Sequence, residues 1–105
     1  MNYEISLREF QEKINDWICS HGGYWPPLAM LSAVIEEIGE LAREINHIQG
    51  FKPKKKEDEI INIGEELADI VYALICIANY YKVDLSNELI NVIEKYSRRD
   101  SNRFI

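Results

Sequence analysis

No stretch of this chain approaches the roughly 20 consecutive apolar residues that a membrane-spanning helix requires, which excludes a transmembrane reading. The segment from Met1 to Phe10 carries acidic residues early and has no continuous apolar stretch, unlike a secretory signal, so a cytoplasmic location is expected. Cysteine is scarce. Cys19 and Cys76 fall in helical patterns without CxxC spacing, so there is no disulfide framework and both thiols are expected to be reduced. Positive charge is the minority sign, and the net charge of −6 argues against duplex nucleic acid as a partner, because that role needs a basic face against the phosphates. A small phosphate compound is still compatible with an acidic chain, since metal ions can bridge carboxylates to phosphate oxygens. Strand alternation, internal repeats and low-complexity tracts are all missing. The 105 residues, 47% hydrophobic and 29% charged, have the balance of one ordinary globular domain with a single core, spanning residues 1–105.

The patterns that are present are helical. Ser6-Leu7-Arg8-Glu9 is a capping-box signature, after which Leu7, Phe10, Ile14, Trp17 and Ile18 recur at helical spacing, predicting a first helix to about Cys19. His21 to Pro27 reads as a loop in which Gly22 and Gly23 release the backbone and the prolines lead into the next helix. A second helix from about Pro27 carries the stripe Leu31, Val34, Ile38, Leu41, Ile45, Ile48, and Gly50 is its stop. A short polar connection with Pro53 precedes a long third helix marked by Ile60, Ile63, Leu67, Ile70, Val71, Leu74 and Ala78. Asp84 is a good N-cap for a fourth helix with Leu85, Leu89, Val92, Ile93 and Tyr96, and the basic tail from Ser97 is expected to fray. The expected class is all-α, a four-helix antiparallel bundle-like domain.

Two acidic words stand inside these patterns, Glu36-Glu37-Ile38-Gly39-Glu40 and Glu65-Glu66-Leu67-Ala68-Asp69. Residues three apart share a helix face, so Glu37 with Glu40, and Glu66 with Asp69, each present two hard oxygen ligands in one direction. In an antiparallel hairpin turning near Pro53, positions summing to 106 lie level, which pairs 37 with 69 and 40 with 66. An acidic arc is ordinarily a solvated face. Here the stripe through Glu66 and Asp69 continues to Ala73, Cys76, Ile77 and Tyr80, so it is expected to be half buried. Unpaired buried carboxylates cost several kcal/mol or must protonate, and bound cations remove that cost. Gly39 and Gly64, within helical runs, suggest close backbone approach or clearance for a substrate.

Glu37-Ile38-Gly39-Glu40, 25 intervening residues, and then Glu66-Leu67-Ala68-Asp69, an ExxE word followed by ExxD, resemble the MazG-type nucleotide pyrophosphohydrolases of the all-α NTP pyrophosphatase superfamily. The likeness extends through Trp25-Pro26-Pro27-Leu28-Ala29-Met30, Lys52-Pro53-Lys54-Lys55, and Lys95 with Arg98-Arg99-Asp100, as in small single-domain members. It implies hydrolysis of a nucleoside triphosphate between the α and β phosphates, to monophosphate and pyrophosphate, in nucleotide-pool cleaning. Glu37, Glu40, Glu66 and Asp69 would then hold Mg²⁺, with Mn²⁺ as a substitute. Glu36 or Glu65, each preceding a ligand, is a candidate base. The resemblance also implies a homodimer or homotetramer, a dimer of dimers, with sites at or near subunit interfaces; two long amphipathic helices and two short ones cannot readily cover their own stripes.

Lys95 and Arg99, one turn apart on the fourth helix, are candidate phosphate contacts, against the alternative of a solvated basic tail. Trp25 is a candidate for stacking on a base or for plugging the bundle end. Tyr72, one turn past Asp69, is a candidate substrate contact or a packing residue. The run Lys54-Lys55-Lys56 reads as a solvated turn offset by Glu57, Asp58 and Glu59 rather than as a triphosphate clamp. Two rival classes are a non-catalytic helical metal-binding or interaction module and a di-iron carboxylate protein. Glu44 and His47 have the ExxH spacing of the latter, but the third helix offers no histidine.

Overall fold

Four α-helices form the domain: α1 (Leu7–Ser20), α2 (Pro27–Ile48), α3 (Ile63–Tyr80) and α4 (Leu85–Ser101). They are seen in a computed structural model that describes residues 4–50 and 62–101, among which there is no strand. The expectations for Ile60 and for Lys54-Lys55-Lys56 fall outside the described residues.

Local chemistry sets the helix ends. Ser6 accepts from the Glu9 amide and Glu9 reaches back to the Ser6 backbone, completing the capping box of α1. Pro27 occupies the first turn of α2, where its missing N–H costs nothing. Asn62 accepts from the Glu65 amide at the start of α3, and Asp84 Oδ1 accepts from the amides of Ser86 and Asn87 at the start of α4. α4 continues through Ser101, past the point where the sequence suggests fraying; Arg98 and Arg99 in its last turn oppose the negative end of the helix dipole.

The core is built around α3, which packs on α2. Its buried hydrophobic residues are Met30 and Val34 from the first half of α2 and Ala73, Ile75, Cys76 and Ala78 from the second half of α3. Helix α1 packs on α3, and α4 packs on α1. Both cysteines are free.

One polar side chain locks these helices together. Gln11 on α1 is 8% exposed; its Nε2 donates to Asn79 Oδ1 and to the Val83 carbonyl, and its Oε1 accepts from the Leu85 amide. Asn79 Nδ2 donates in return to the Gln11 carbonyl. Lys82, at φ 58, turns the chain there in the left-handed region, while the Val83 amide closes onto Ala78. Outside, Arg8 grips Asp84 through Nε at 3.0 Å and a second guanidinium nitrogen at 2.7 Å. The connection between α3 and α4 is thus held from two sides by α1.

Much apolar surface is left uncovered. Leu28 is 74% exposed, Ile35 62% and Ile93 64%, and most of α4 faces solvent. The accessible surface is 8530 Å², where a compact monomer of this mass presents about 6,100 Å². The radius of gyration is 17.4 Å, against about 13 Å for a compact chain of this length.

Two measurements check this account. Gln11→Ala leaves the Leu85 amide and Asn79 without their partners and is expected to cost about 2–3 kcal/mol in urea denaturation. The Arg8 guanidinium, with help from the Asn87 and Ser86 amides, holds the Asp84 carboxyl below the usual carboxylate range. Its stabilisation is present above the unfolded-state value and lost as pH falls through the folded one. Arg8→Ala should therefore lower the thermal midpoint at neutral pH, and the gap to wild type should close on acidification.

Candidate metal centre and adjoining cavity

The α2–α3 seam continues past its apolar half into carboxylates. One oxygen each from Glu37, Glu40 and Glu66 lie within 4.8 Å of one another. Glu37 Oε2 and Glu66 Oε2 are buried and have no hydrogen-bond partner. Burial is the first cause that pushes both carboxyls above their ordinary range, and like charge is the second: Asp69 leads the repulsion on Glu37, and Glu40 leads it on Glu66. These are the two level pairs that the hairpin register implies. Glu40 is more exposed and stands 3.9 Å from Arg43. Asp69 opposes Glu37 but lies outside the group of three, on an exposed position of α3.

The donor set is all hard oxygen, negatively charged and short of hydrogen-bond donors. That fits a divalent cation of the Mg²⁺ type, which prefers carboxylate oxygens and tolerates solvent in its remaining positions. Glu36 is exposed on α2 beside Glu37, and Glu65 is held in the first turn of α3 by Asn62. Glu44, two turns from Glu37, extends the acidic line: it acts on Glu66 and lies 4.0 Å from His47 Nδ1. Sequence reasoning met Glu44 only in its ExxH word; its position four residues after Glu40 was the available signal.

Glu37 and Asp69 also line a cavity of about 500 Å³. Its other walls are mainly aromatic and apolar: Trp17, Tyr24, Trp25 and Tyr72, with Met30 and Cys76 behind them. Trp25 and Tyr72 thus line the same cavity as Glu37 and Asp69. Trp17, His21 and Tyr24 were missed as site residues. Trp17 reads as core from its place in the α1 stripe, yet it is 54% exposed and stacks on His21 at a centroid distance of 4.0 Å. The i, i+4 spacing of Trp17 and His21 was the overlooked sign. Gly22 and Gly23, at φ 103 and 87, turn the chain between α1 and the cavity residues Tyr24 and Trp25.

Lys95 and Arg99 are not among the residues around this cavity. They flank the ring of Tyr96 at 4.8 and 4.4 Å, and Arg99 also pairs with Asp100, on the helix that packs against α1. The close approach expected at the two helical glycines is absent as well. A Cβ at Gly39 would meet nothing within 4 Å, and one at Gly64 would make only an ordinary contact with Asn62 Oδ1.

Residues 26–104 match the model of the MazG nucleotide pyrophosphohydrolase domain. The chain is 36% identical over 100 residues to the uncharacterised protein YpjD of Bacillus subtilis (strain 168), covering 94% of this chain and 90% of that protein. Among solved structures, it resembles the candidate pyrophosphatase YpjD of Bacillus subtilis with a TM-score of 0.81 at 35% identity, over 94% of this chain and all of that one. A Bacillus-conserved MazG protein, a nucleotide pyrophosphohydrolase, superposes with a TM-score of 0.77 at 33% identity, over 90% of this chain and 93% of its own.

The raised carboxyls carry a stability prediction. A carboxyl whose folded value is raised contributes stability below its unfolded value and loses it as pH rises through the folded one, so Glu37 and Glu66 penalise the metal-free fold at neutral pH. Glu66→Gln should melt above wild type in chelator at neutral pH, with its advantage vanishing as pH falls to about 4. A lower midpoint for the variant at neutral pH would contradict this reading of the cluster.

Proposed function

The chain belongs to the MazG nucleotide pyrophosphohydrolase domain family, and from that premise we propose that it hydrolyses nucleoside triphosphates, ribo- or deoxyribonucleotides, to the monophosphate and pyrophosphate in a Mg²⁺-dependent reaction. The observation that carries the reading is the junction of the two halves of the site. Buried carboxylate oxygens with no hydrogen-bond partner adjoin a cavity of about 500 Å³ walled by aromatic rings. A nucleotide has that same division, a polyanion joined to a flat heterocycle.

In this proposal Glu37, Glu40, Glu66 and Asp69 hold the cation, with Glu37 and Asp69 closest to the nucleoside. When bound, Mg²⁺ or Mn²⁺ held by these four carboxylates would supply the positive charge that offsets the negative charge growing on the departing pyrophosphate. The protein supplies no nucleophile. Glu36, exposed next to Glu37, takes the proton of the attacking water as that water opens the anhydride between the α and β phosphates. Trp25 and Tyr72 bracket the base, and the apolar cavity walls exclude water from it. We assign the protein to nucleotide-pool cleaning in the cytoplasm.

We further propose a homodimer or homotetramer. Leu28, Ile35 and Ile93 leave apolar surface exposed on α2 and α4, of the kind that assemblies bury. Assembly also gives Lys95 and Arg99 a role, since α4 of one protomer is free to bring them to the triphosphate of its partner as charge-assisted donors.

Two experiments test these readings. Chromatography of products from a panel of nucleoside triphosphates with Mg²⁺ should show monophosphate and pyrophosphate, with at least about a hundredfold loss in Glu40→Gln and Asp69→Asn; diphosphate with orthophosphate would overturn the cleavage position. For assembly, mixing inactive Glu40→Gln with inactive Lys95→Ala should restore part of the activity by forming a site with both wild-type contributions. Full activity in a chain that sediments as a monomer would overturn the assembly.

A further inference from the structure

We propose that His21 is a specificity-determining residue of the cavity, whose bare Nε2 accepts a hydrogen bond from an N–H group of the bound nucleobase; the inference rests on the reading of the cavity as a nucleoside site. The argument begins with the tautomer. His21 Nδ1 lies 2.7 Å from the Trp17 carbonyl oxygen and 2.9 Å from Ser20 Oγ, while Ser20 Oγ itself donates to that same carbonyl. A carbonyl oxygen only accepts, so Nδ1 must carry the hydrogen. In the neutral ring that is the one N–H, and Nε2 is left with a lone pair.

The ring is also held in place. It lies against Trp17 with planes 15° apart, and the His21 amide donates to the Ile18 carbonyl as the C-cap of α1. With Nδ1 tied back to α1, the opposite edge of a cavity-lining imidazole is the one left for a ligand.

The other polar side chains of the cavity are poorer acceptors. Tyr24 Oη gives its proton to Asn15 Oδ1 at 2.8 Å, and its phenolic oxygen, like that of Tyr72, accepts more weakly than a bare imidazole nitrogen. The buried Cys76 thiol is a weak acceptor. The indole N–H groups of Trp17 and Trp25 only donate. The carboxylates accept, but they sit at the phosphate end. His21 therefore supplies the acceptor with which this end of the cavity recognises a heterocyclic N–H or exocyclic amine.

The test uses matched nucleotides that differ in one donor: adenosine against purine riboside, cytidine against N4,N4-dimethylcytidine, and uridine against N3-methyluridine. Triphosphates are followed by pyrophosphate release in Mg²⁺, and monophosphates by quenching of tryptophan fluorescence, which reads binding without turnover. For the preferred base, wild type should favour the donor-bearing member by about tenfold or more, expressed in KM rather than kcat. His21→Phe, which keeps a ring against Trp17, and His21→Leu both lack the acceptor and should bring the ratio near one. His21→Gln, which offers a carbonyl, should recover part of the preference. Equal use of each pair by wild type, or an unchanged ratio in either acceptor-free variant, overturns the role of His21 while leaving the hydrolysis intact. Discriminating binding without hydrolysis would instead overturn the proposed reaction and support His21.

Discussion

The constraint on which the structure turns is the antiparallel contact of α2 with α3, because it forces like charges together in the continuation of an apolar seam. Met30 and Val34 of α2, with Ala73 and Cys76 among the buried residues of α3, provide burial along the hairpin, and its register then sets Glu37 opposite Asp69 and Glu40 opposite Glu66. The carboxylates gain nothing from this placement in the metal-free chain. Their unpartnered oxygens and raised proton affinities are a local penalty accepted by an otherwise consistent helix pair, a pattern typical of functional sites.

The penalty stays local because the hairpin is braced elsewhere. Gln11, Asn79, Val83 and Leu85 form a closed set of hydrogen bonds far along α3 from the acidic end, and Arg8 with Asp84 seals its outer side. The same face of α1 reaches the cavity: Asn15, one turn past Gln11, accepts from the hydroxyl of Tyr24, whose ring forms part of the aromatic wall. Packing of α1 thus contributes twice, once to the α3–α4 turn and once through Trp17 and His21 to the face on which the proposed nucleoside rests.

What the fold does not do is cover itself. Six hydrophobic side chains are buried among the described residues, while the outward stripes of α2 and α4 stay open. Exposed apolar surface on this scale is what the proposed assembly would cover. The proposed assembly and the place of Lys95 and Arg99 on a helix that does not line the cavity are two aspects of the same open architecture.

Secondary structure and the acidic cluster were legible in the sequence because both are short-range properties. The capping box at Ser6, Pro27 at the head of α2 and Asp84 before α4 act over one turn, and the three-residue spacing of Glu37 with Glu40 and Glu66 with Asp69 is a consequence of helix geometry alone. Even the pairing across the hairpin follows from counting, once two neighbouring helices are taken as antiparallel. The aromatic cavity was not legible, because its walls come from α1, α2, α3 and the loop at Gly22 and Gly23, and only their packing decides which side of Trp17 is covered. Periodicity placed Trp17 in a core stripe, and the tertiary structure left it half open against His21. Gln11 escaped notice for the same reason: a polar residue on a helix reads as solvated until the partners that bury it, 68 to 74 positions away, are brought into contact. Sequence alone determined the helices and their charges, since those depend on neighbours along the chain; tertiary structure decided which faces are buried, since that depends on neighbours in space.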